Sequence, residues 1–363
     1  MKVFLLLLSL LFIVPDCTAQ TGIVWPSPEI ERVYEQGREA LSSGDFAKAK
    51  QLLQQAADLA PEVPQAREEL AYARLLSGDA EGALSALEPL FAARTGGPQA
   101  FRTATDAYRK LKKPNDAAKM LRNGLRAYPN SGMLFSEQGQ FEEASNKPEE
   151  ALKSFLYGLE YDPAYYLNYY YAAQQYVFSK KLVWCLLYAE TFLLYEYKTP
   201  RAAEVRQMLF AAYRRFFFPN ALDEKLNPGS TKIDTRNPRS FEEAVVLTLR
   251  RQAPVVAGGI TTETLTMLRT RFLIEWNEEW ARRYPSALFS YQDAMLRAGV
   301  FEAYNQQLLG RAEAGSGFEK WMEFHPKAIP DFAAWSGANL FKKPKNEFYN
   351  EREVQGILYK TLQ

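Results

Sequence analysis

From about residue 31 to residue 198 the apolar positions fall into helix-length stripes that come in pairs. The small residues among them return on a constant beat. Gly44-Asp45-Phe46-Ala47-Lys48-Ala49 recurs as Gly78-Asp79-Ala80-Glu81-Gly82-Ala83. The same register reappears as Lys112-Lys113-Pro114-Asn115-Asp116-Ala117, and again as Asn146-Lys147-Pro148-Glu149-Glu150-Ala151. Ala49, Ala83, Ala117 and Ala151 stand 34 residues apart each time, and a fifth step lands on Cys185. Pro61, Pro129 and Pro163 each follow their alanine by 12 residues, and Thr95 holds that place in the second unit. The preceding stripes carry small residues at a matching place: Gly37, Ala71, Ala104 (offset by one), Gly139 and Ala173. The physical reading is direct. Antiparallel helices approach closely only where side chains are small, large residues such as Leu53 and Phe155 fill the space beside the crossing, and a proline ends each second helix. No such unit buries its apolar face alone, so stacking is required.

Thr199-Pro200 then reads as an N-cap followed by proline in the first helical turn, opening a helix through Phe210 and Tyr213 to Phe218 that caps the stack. Pro219-Asn220, Asn227-Pro228-Gly229 and Asn237-Pro238 are turn signals without helical period, which predicts a linker over 219–240. Ser240 with Glu243 forms a capping box before another apolar run. Leu268, Phe272, Trp276 and Trp280 recur every four residues, widened by Leu265 and Leu273, and predict the clearest helix outside the repeats. Shorter helices are expected over 286–297, 299–309 and 317–324, and a last one from Asn350 to about Leu362. No alternating strand pattern occurs, so the fold class is all-α.

The 34-residue marks resemble the tetratricopeptide repeat family, whose unit is a helix–turn–helix with small residues at the crossing and a proline after the second helix. The resemblance covers about residues 31–198. It implies an α-solenoid of about five units over 31–218 with its capping helix, followed by a helical C-terminal domain over 241–363 for which no family is recognised. The large aromatic usual near the start of the first helix appears as Phe135 and Tyr169, but as Val33 and Arg67 elsewhere, and the third unit lacks the Gly-Asp turn. In this family the outward face of the first helices lines a concave groove. Carrying that register over points to Tyr34, Arg38, Glu68, Tyr72, Arg102, Asp106, Arg109, Gln140, Tyr170 and Gln174 as partner-binding residues. The Lys/Asn clamp that some members use for a peptide carboxylate is not reproduced.

Composition changes this picture little. The chain has 363 residues, 47% hydrophobic and 24% charged, an ordinary globular balance. Forty-four basic residues face 43 acidic ones, so no global field attracts nucleic acid. The N-terminus adds more. Lys2, the apolar run Val3 to Val14, and Cys17-Thr18-Ala19 after Pro15-Asp16 read as a cleavable secretory signal over 1–19, leaving residues 20–30 as an N-terminal extension. Asp16 before Cys17 argues against lipidation of that cysteine. An exported protein of the periplasm or cell envelope is expected, without a membrane-spanning segment after cleavage. Cys185, in an apolar helix, then remains as a single core thiol.

Candidate chemistry is sparse. One histidine, His325, excludes multi-histidine zinc sites, and its place before Pro326 reads as a helix end. Glu275, Glu278 and Glu279 cluster on the Trp-lined helix, where glutamates beside an apolar stripe form the wet face. Gly96-Gly97, Gly258-Gly259 and Gly315-Ser316-Gly317 lack phosphate-loop spacing and read as turns. No catalytic residue, cofactor or metal is expected. Tyrosines crowd the fourth-to-fifth unit junction, at Tyr161, Tyr165, Tyr166, Tyr169, Tyr170, Tyr171 and Tyr176. Successive helical positions such as Tyr169, Tyr170 and Tyr171 cannot all point inward, and exposed tyrosine suits binding. The expected function is a non-enzymatic scaffold that grips a protein or peptide partner in the groove. Glycan binding through clustered Tyr and Trp is the alternative, and an enzyme sited in residues 241–349, with Glu275 and Glu278 behind it, is a third reading.

Overall fold

The computed structural model describes residues 23–177, 179, 181–218, 234, 236–315, 317–345, 347 and 349–350. The signal segment 1–19 with Cys17, most of the expected linker, and the last helix beyond Asn350 lie outside these residues. The rest is helical, with no strand among the described residues. Five helix pairs come first: α1 (Pro28–Ser42) with α2 (Phe46–Leu59), α3 (Pro64–Leu76) with α4 (Ala80–Ala93), and α5 (Pro98–Lys110) with α6 (Pro114–Ala127). Then follow α7 (Gly132–Ala144) with α8 (Pro148–Tyr161), and α9 (Leu167–Tyr176) with α10 (Leu182–Tyr195).

The turn inside each of the first four pairs is built from one left-handed residue on the same beat. Gly44 and Gly78 hold it at φ 81° and 90°, and Lys112 and Asn146 at φ 58°. The next residue starts the second helix in two ways. The Asp45 and Asp79 carboxylates accept from the backbone N–H of Lys48 (3.1 Å) and Gly82 (2.8 Å). In the third and fourth units Lys113 and Lys147 cannot cap. Pro114 and Pro148 follow them and remove one orphan N–H instead. A lysine with φ positive costs about 1 kcal/mol relative to glycine. Lys112→Gly is therefore expected to raise the stability by about 1 kcal/mol in chemical denaturation. A loss of stability would mean that the lysine side chain has a role its backbone does not reveal.

The predicted crossings are present. Ala49, Ala83, Ala117, Ala151 and Cys185 are fully buried, as are Leu53, Leu87, Leu121 and Phe155 four residues on. A methyl group on Gly37 would meet Leu53 Cγ at 2.8 Å, and one on Gly139 would fall inside the Phe155 ring. In the third unit Ala104 is buried but off the beat. The register position itself is Thr105, fully buried with its hydroxyl donating to the Phe101 carbonyl (2.8 Å). Burial pushes the Cys185 thiol up to about 12, which leaves it an inert core residue.

First helices of successive units touch one another, α3 against α5, α5 against α7 and α7 against α9, while second helices make no comparable contact among themselves. That asymmetry curves the stack and puts the first helices on its inner side. Neighbouring units are pinned by polar bonds. The Asn168 amide donates to the Gly132 carbonyl at 2.9 Å, and Gly132 N–H donates to Asp162 at 3.3 Å.

The stack continues into α11 (Pro200–Phe217), capped by Thr199 as predicted. Beyond it come α12 (Phe241–Arg251), a short turn of 3-10 helix, α13 (Thr262–Glu279), α14 (Ala287–Arg297), and α15 (Phe301–Asn305), which ends in a π turn at Gln306–Gly310. Then come α16 (Gly317–Phe324) and α17 (Ala328–Ala338). The last of these was not legible, because Pro330 interrupts a run of small residues. Leu265, Leu268, Phe272, Leu273, Trp276 and Trp280 are buried as the stripe requires. One hydrophobic cluster runs from Ala151 through α8–α11 to Phe332, and a second from Tyr34 to Ala107. The centre of the larger cluster is α10, buried over the whole run Val183–Leu193.

At that centre sits a buried polar knot. Arg269 on α13 pairs with the Glu190 carboxylate on α10 and donates to the Asn305 side chain. Gln292 (2.6 Å) and the Tyr304 hydroxyl (2.7 Å) donate to the same Glu190 oxygen. Burial by itself would lower the Arg269 pKa, but the Glu190 carboxylate together with Tyr213 and Tyr304 more than offsets it and holds the guanidinium charged. The last repeat and the C-terminal helices thus share one core and one buried polar network.

Candidate functional site in the concave face

The inner face carries a side-chain lattice that steps from unit to unit. The Arg102 guanidinium lies over the Tyr72 ring at 5.3 Å and reaches Glu137 Oε1 at 3.7 Å. Arg109, one helical face along α5, contacts Asp106 at 3.2 Å and Glu137 Oε2 at 3.4 Å. The Glu137 side chain is only 7% exposed and bridges two arginines through long contacts. Burial and the Asp106 charge push its carboxyl up to about 7, and Arg102 and Arg109 oppose them. Toward the far end, Arg201 lies over the Tyr170 ring (5.4 Å) and pairs with Glu196 at 3.0 Å. Gln174 donates to the Tyr170 hydroxyl at 2.9 Å. At the near end Arg38 lies over Tyr34 (5.8 Å) and contacts Glu35 at 3.4 Å. Arginine over tyrosine, with a glutamate at the guanidinium edge, therefore recurs three times. Each such group is close to neutral overall, and it offers planar and polar contacts together.

The ten predicted groove residues divide. Tyr72, Arg102, Asp106, Gln140 and Tyr170 are partly exposed on the first helices, as is Arg38, and Arg109 and Gln174 are exposed. Tyr34 is not open surface. It is 3% exposed and packs against Trp25 at 4.6 Å, so its ring closes the end of the core. Glu68 also turns inward, at 8% exposure, where it accepts the Gly97 N–H (2.5 Å) at the start of α5. Desolvation pushes Glu68 up to about 7, against that hydrogen bond. Its carboxylate is engaged at the start of α5.

Glu137 and Arg201 escaped the sequence reading, as did Tyr165 and Tyr171 as groove residues. Tyr165 adjoins Arg102 and Glu137, and Tyr171 stacks on Phe155 at 5.0 Å. A signal for Glu137 existed. Its 34-residue equivalents include Glu35 and Glu69, acidic in turn, so the position beside the groove register is a charged one in three of five units.

The other candidates resolve structurally. Arg251 on α12 binds Glu275 (2.7 Å) and Glu279 (2.8 Å), and Gln252 donates to Glu275 (2.6 Å). These carboxylates line a shallow surface cavity of about 370 Å³ and clasp α12 to α13. His325 is exposed past the end of α16, stacked on Trp321 at 4.7 Å with Nδ1 2.9 Å from the Trp321 carbonyl. No group of three or more metal-ligating side chains occurs among the described residues, and no described helix is long and apolar enough to cross a membrane.

Residues 34–97 match the family model of the tetratricopeptide repeat. No curated protein matches. Among solved structures, a thermophilic TPR protein of Thermus thermophilus is 18% identical over 51% of this chain and 98% of its own, with a TM-score of 0.43. The TPR domain of P58(IPK) is 13% identical over 92% of this chain and 99% of its own, with a TM-score of 0.23. Likeness at that level carries no argument, and the weight rests on the repeat. The two helix pairs that the family model matches are followed by three more on the same 34-residue beat, to Tyr195, so the match and the repeat together make this stretch similar to a tetratricopeptide solenoid.

Proposed function

We propose that this protein is a non-enzymatic scaffold of the cell envelope, exported by its N-terminal 19 residues, and that it holds an extended segment of a protein partner in the concave face of the repeats. The observation that carries the reading is the Tyr72–Arg102–Glu137–Arg109 lattice. It presents Tyr72, Arg102 and Arg109 from two successive units, tied down by the buried Glu137 of the next, the arrangement in which hot-spot residues Tyr and Arg work best. The carboxylates of α13, engaged by Arg251, support a structural role for that cluster. Pull-down from envelope extract tests the reading with wild type beside the Arg102→Ala/Tyr170→Ala double variant. Recovery of a bound protein is expected to fall at least tenfold for the variant, at unchanged thermal stability. Equal recovery would remove the groove from the function.

Glycan binding keeps one observation of its own. Phe135, Tyr157 and Tyr161 have near-parallel rings with all three centroid separations between 5.7 and 6.1 Å. A column three rings deep would set its ends farther apart than that, so two rings lie side by side over the third. With Tyr161 46% exposed, they form a small flat platform of the kind that sugars stack on.

A further inference from the structure

We propose that the groove is proton-gated: Glu68 and Glu137 grip α5 from the helices on either side, and acidification loosens that grip, turns the concave face net positive and releases Arg102 and Arg109 to carboxylates of a partner segment. The proposal rests on the groove reading above and adds its regulation. The geometry places α5 between two carboxyls sealed in the interior. From α3, Glu68 holds the Gly97 N–H at the N-terminus of α5. From α7, Glu137 spans Arg102 and Arg109, one oxygen to each. Charge-assisted pairs with good geometry sit at about 2.7–2.9 Å. The contacts at 3.4 and 3.7 Å are longer, and burial without a close partner favours the neutral carboxyl. The groups facing Glu137 are Arg102, Asp106 and Arg109 from α5, with Tyr165 and Tyr171 from the fifth unit. Those facing Glu68 are the Gly97 N–H from α5, Tyr34 from α1 and its neighbour Glu69 on α3. Both carboxyls are pushed up to about 7.

With Glu137 ionised, Arg102, Arg109, Asp106 and Glu137 sum to zero. With Glu137 protonated they sum to plus one, and the guanidinium edges that it occupied are open. The sign is fixed: an acidic segment binds better as the pH falls through 7, and a single linked proton allows at most a tenfold change per pH unit.

Two measurements on the full chain test this. Carbon-13 carboxyl shifts of the glutamates, followed from pH 5 to 9 without any ligand, should show two titrations near neutrality. One should be absent in Glu68→Gln and the other in Glu137→Gln. Ordinary glutamate midpoints for both groups would overturn the proposal, whatever the groove binds. Fluorescein-labelled polyglutamate at fixed ionic strength is the binding probe. Wild type should bind it about tenfold more tightly at pH 6 than at pH 8. Glu137→Gln should hold the tighter value at both, and Arg102→Ala/Arg109→Ala should lose it. Flat binding across that range, or none at either pH, would overturn the gating while the pull-down of the Arg102→Ala/Tyr170→Ala variant still decides the groove.

Discussion

Replacing Arg269 with methionine is expected to cost the protein about 3–5 kcal/mol of stability, read as a lower urea midpoint with unchanged slope. Methionine roughly matches the stem but leaves Glu190 buried with its cation gone. Arg269 and Glu190 are each 4% exposed at the side chain, so water cannot take over the lost contacts. Gln292 and Tyr304 still donate to Glu190, but neutral donors do not neutralise a carboxylate in the interior. The same substitution frees the Asn305 side chain from its arginine. The Glu190→Gln/Arg269→Met double variant separates the two effects. Removing both charges is expected to recover much of the loss, because a buried ion pair is worth little against an apolar replacement while half of one is expensive. A single variant within about 1 kcal/mol of wild type would show that the knot is open to solvent and that α10 does not join the repeats to the C-terminal helices.

That knot marks where sequence reasoning stopped. The beat of Ala49, Ala83, Ala117 and Ala151 made the helix pairs and their crossings legible, because a crossing constrains size at one position and size is written in the residue. Polar partners across long separations carry no such local mark. Glu190 lies in an apolar run and Arg269 beside an apolar stripe, and nothing within a few residues of either says that the two meet. For the concave face, register points to Arg102, Asp106, Tyr170 and Gln174, each of which is at least partly exposed. Tyr34 and Glu68 hold the same register and are buried, since Trp25 covers the tyrosine and Gly97 offers Glu68 an N–H. Register fixes a helix face, and local hydrogen bonding then decides whether a side chain stays on it.

Ala151→Asp is expected to cost at least about 3 kcal/mol, by placing an unpaired charge in a fully buried crossing. The neighbourhood leaves it no escape. Across the crossing Phe155 fills the space beside Gly139 so closely that even a methyl group on that glycine would meet the ring. The damage should also be directional. Ala151 belongs to the cluster that runs to Phe332, whereas Ala83 belongs to the one ending at Ala107. Ala117, Leu121 and Leu134 are buried between the two and belong to neither. Hydrogen exchange should therefore show Ala151→Asp unprotecting α8–α15 while α1–α4 keep most of their protection, and Ala83→Asp the reverse. A stack of equal units coupled only to nearest neighbours would instead lose protection symmetrically about either site. If both variants exchange alike, the two clusters act as one core. If Ala151→Asp melts with wild type, position 151 is no crossing, and the common register of the repeats falls with it.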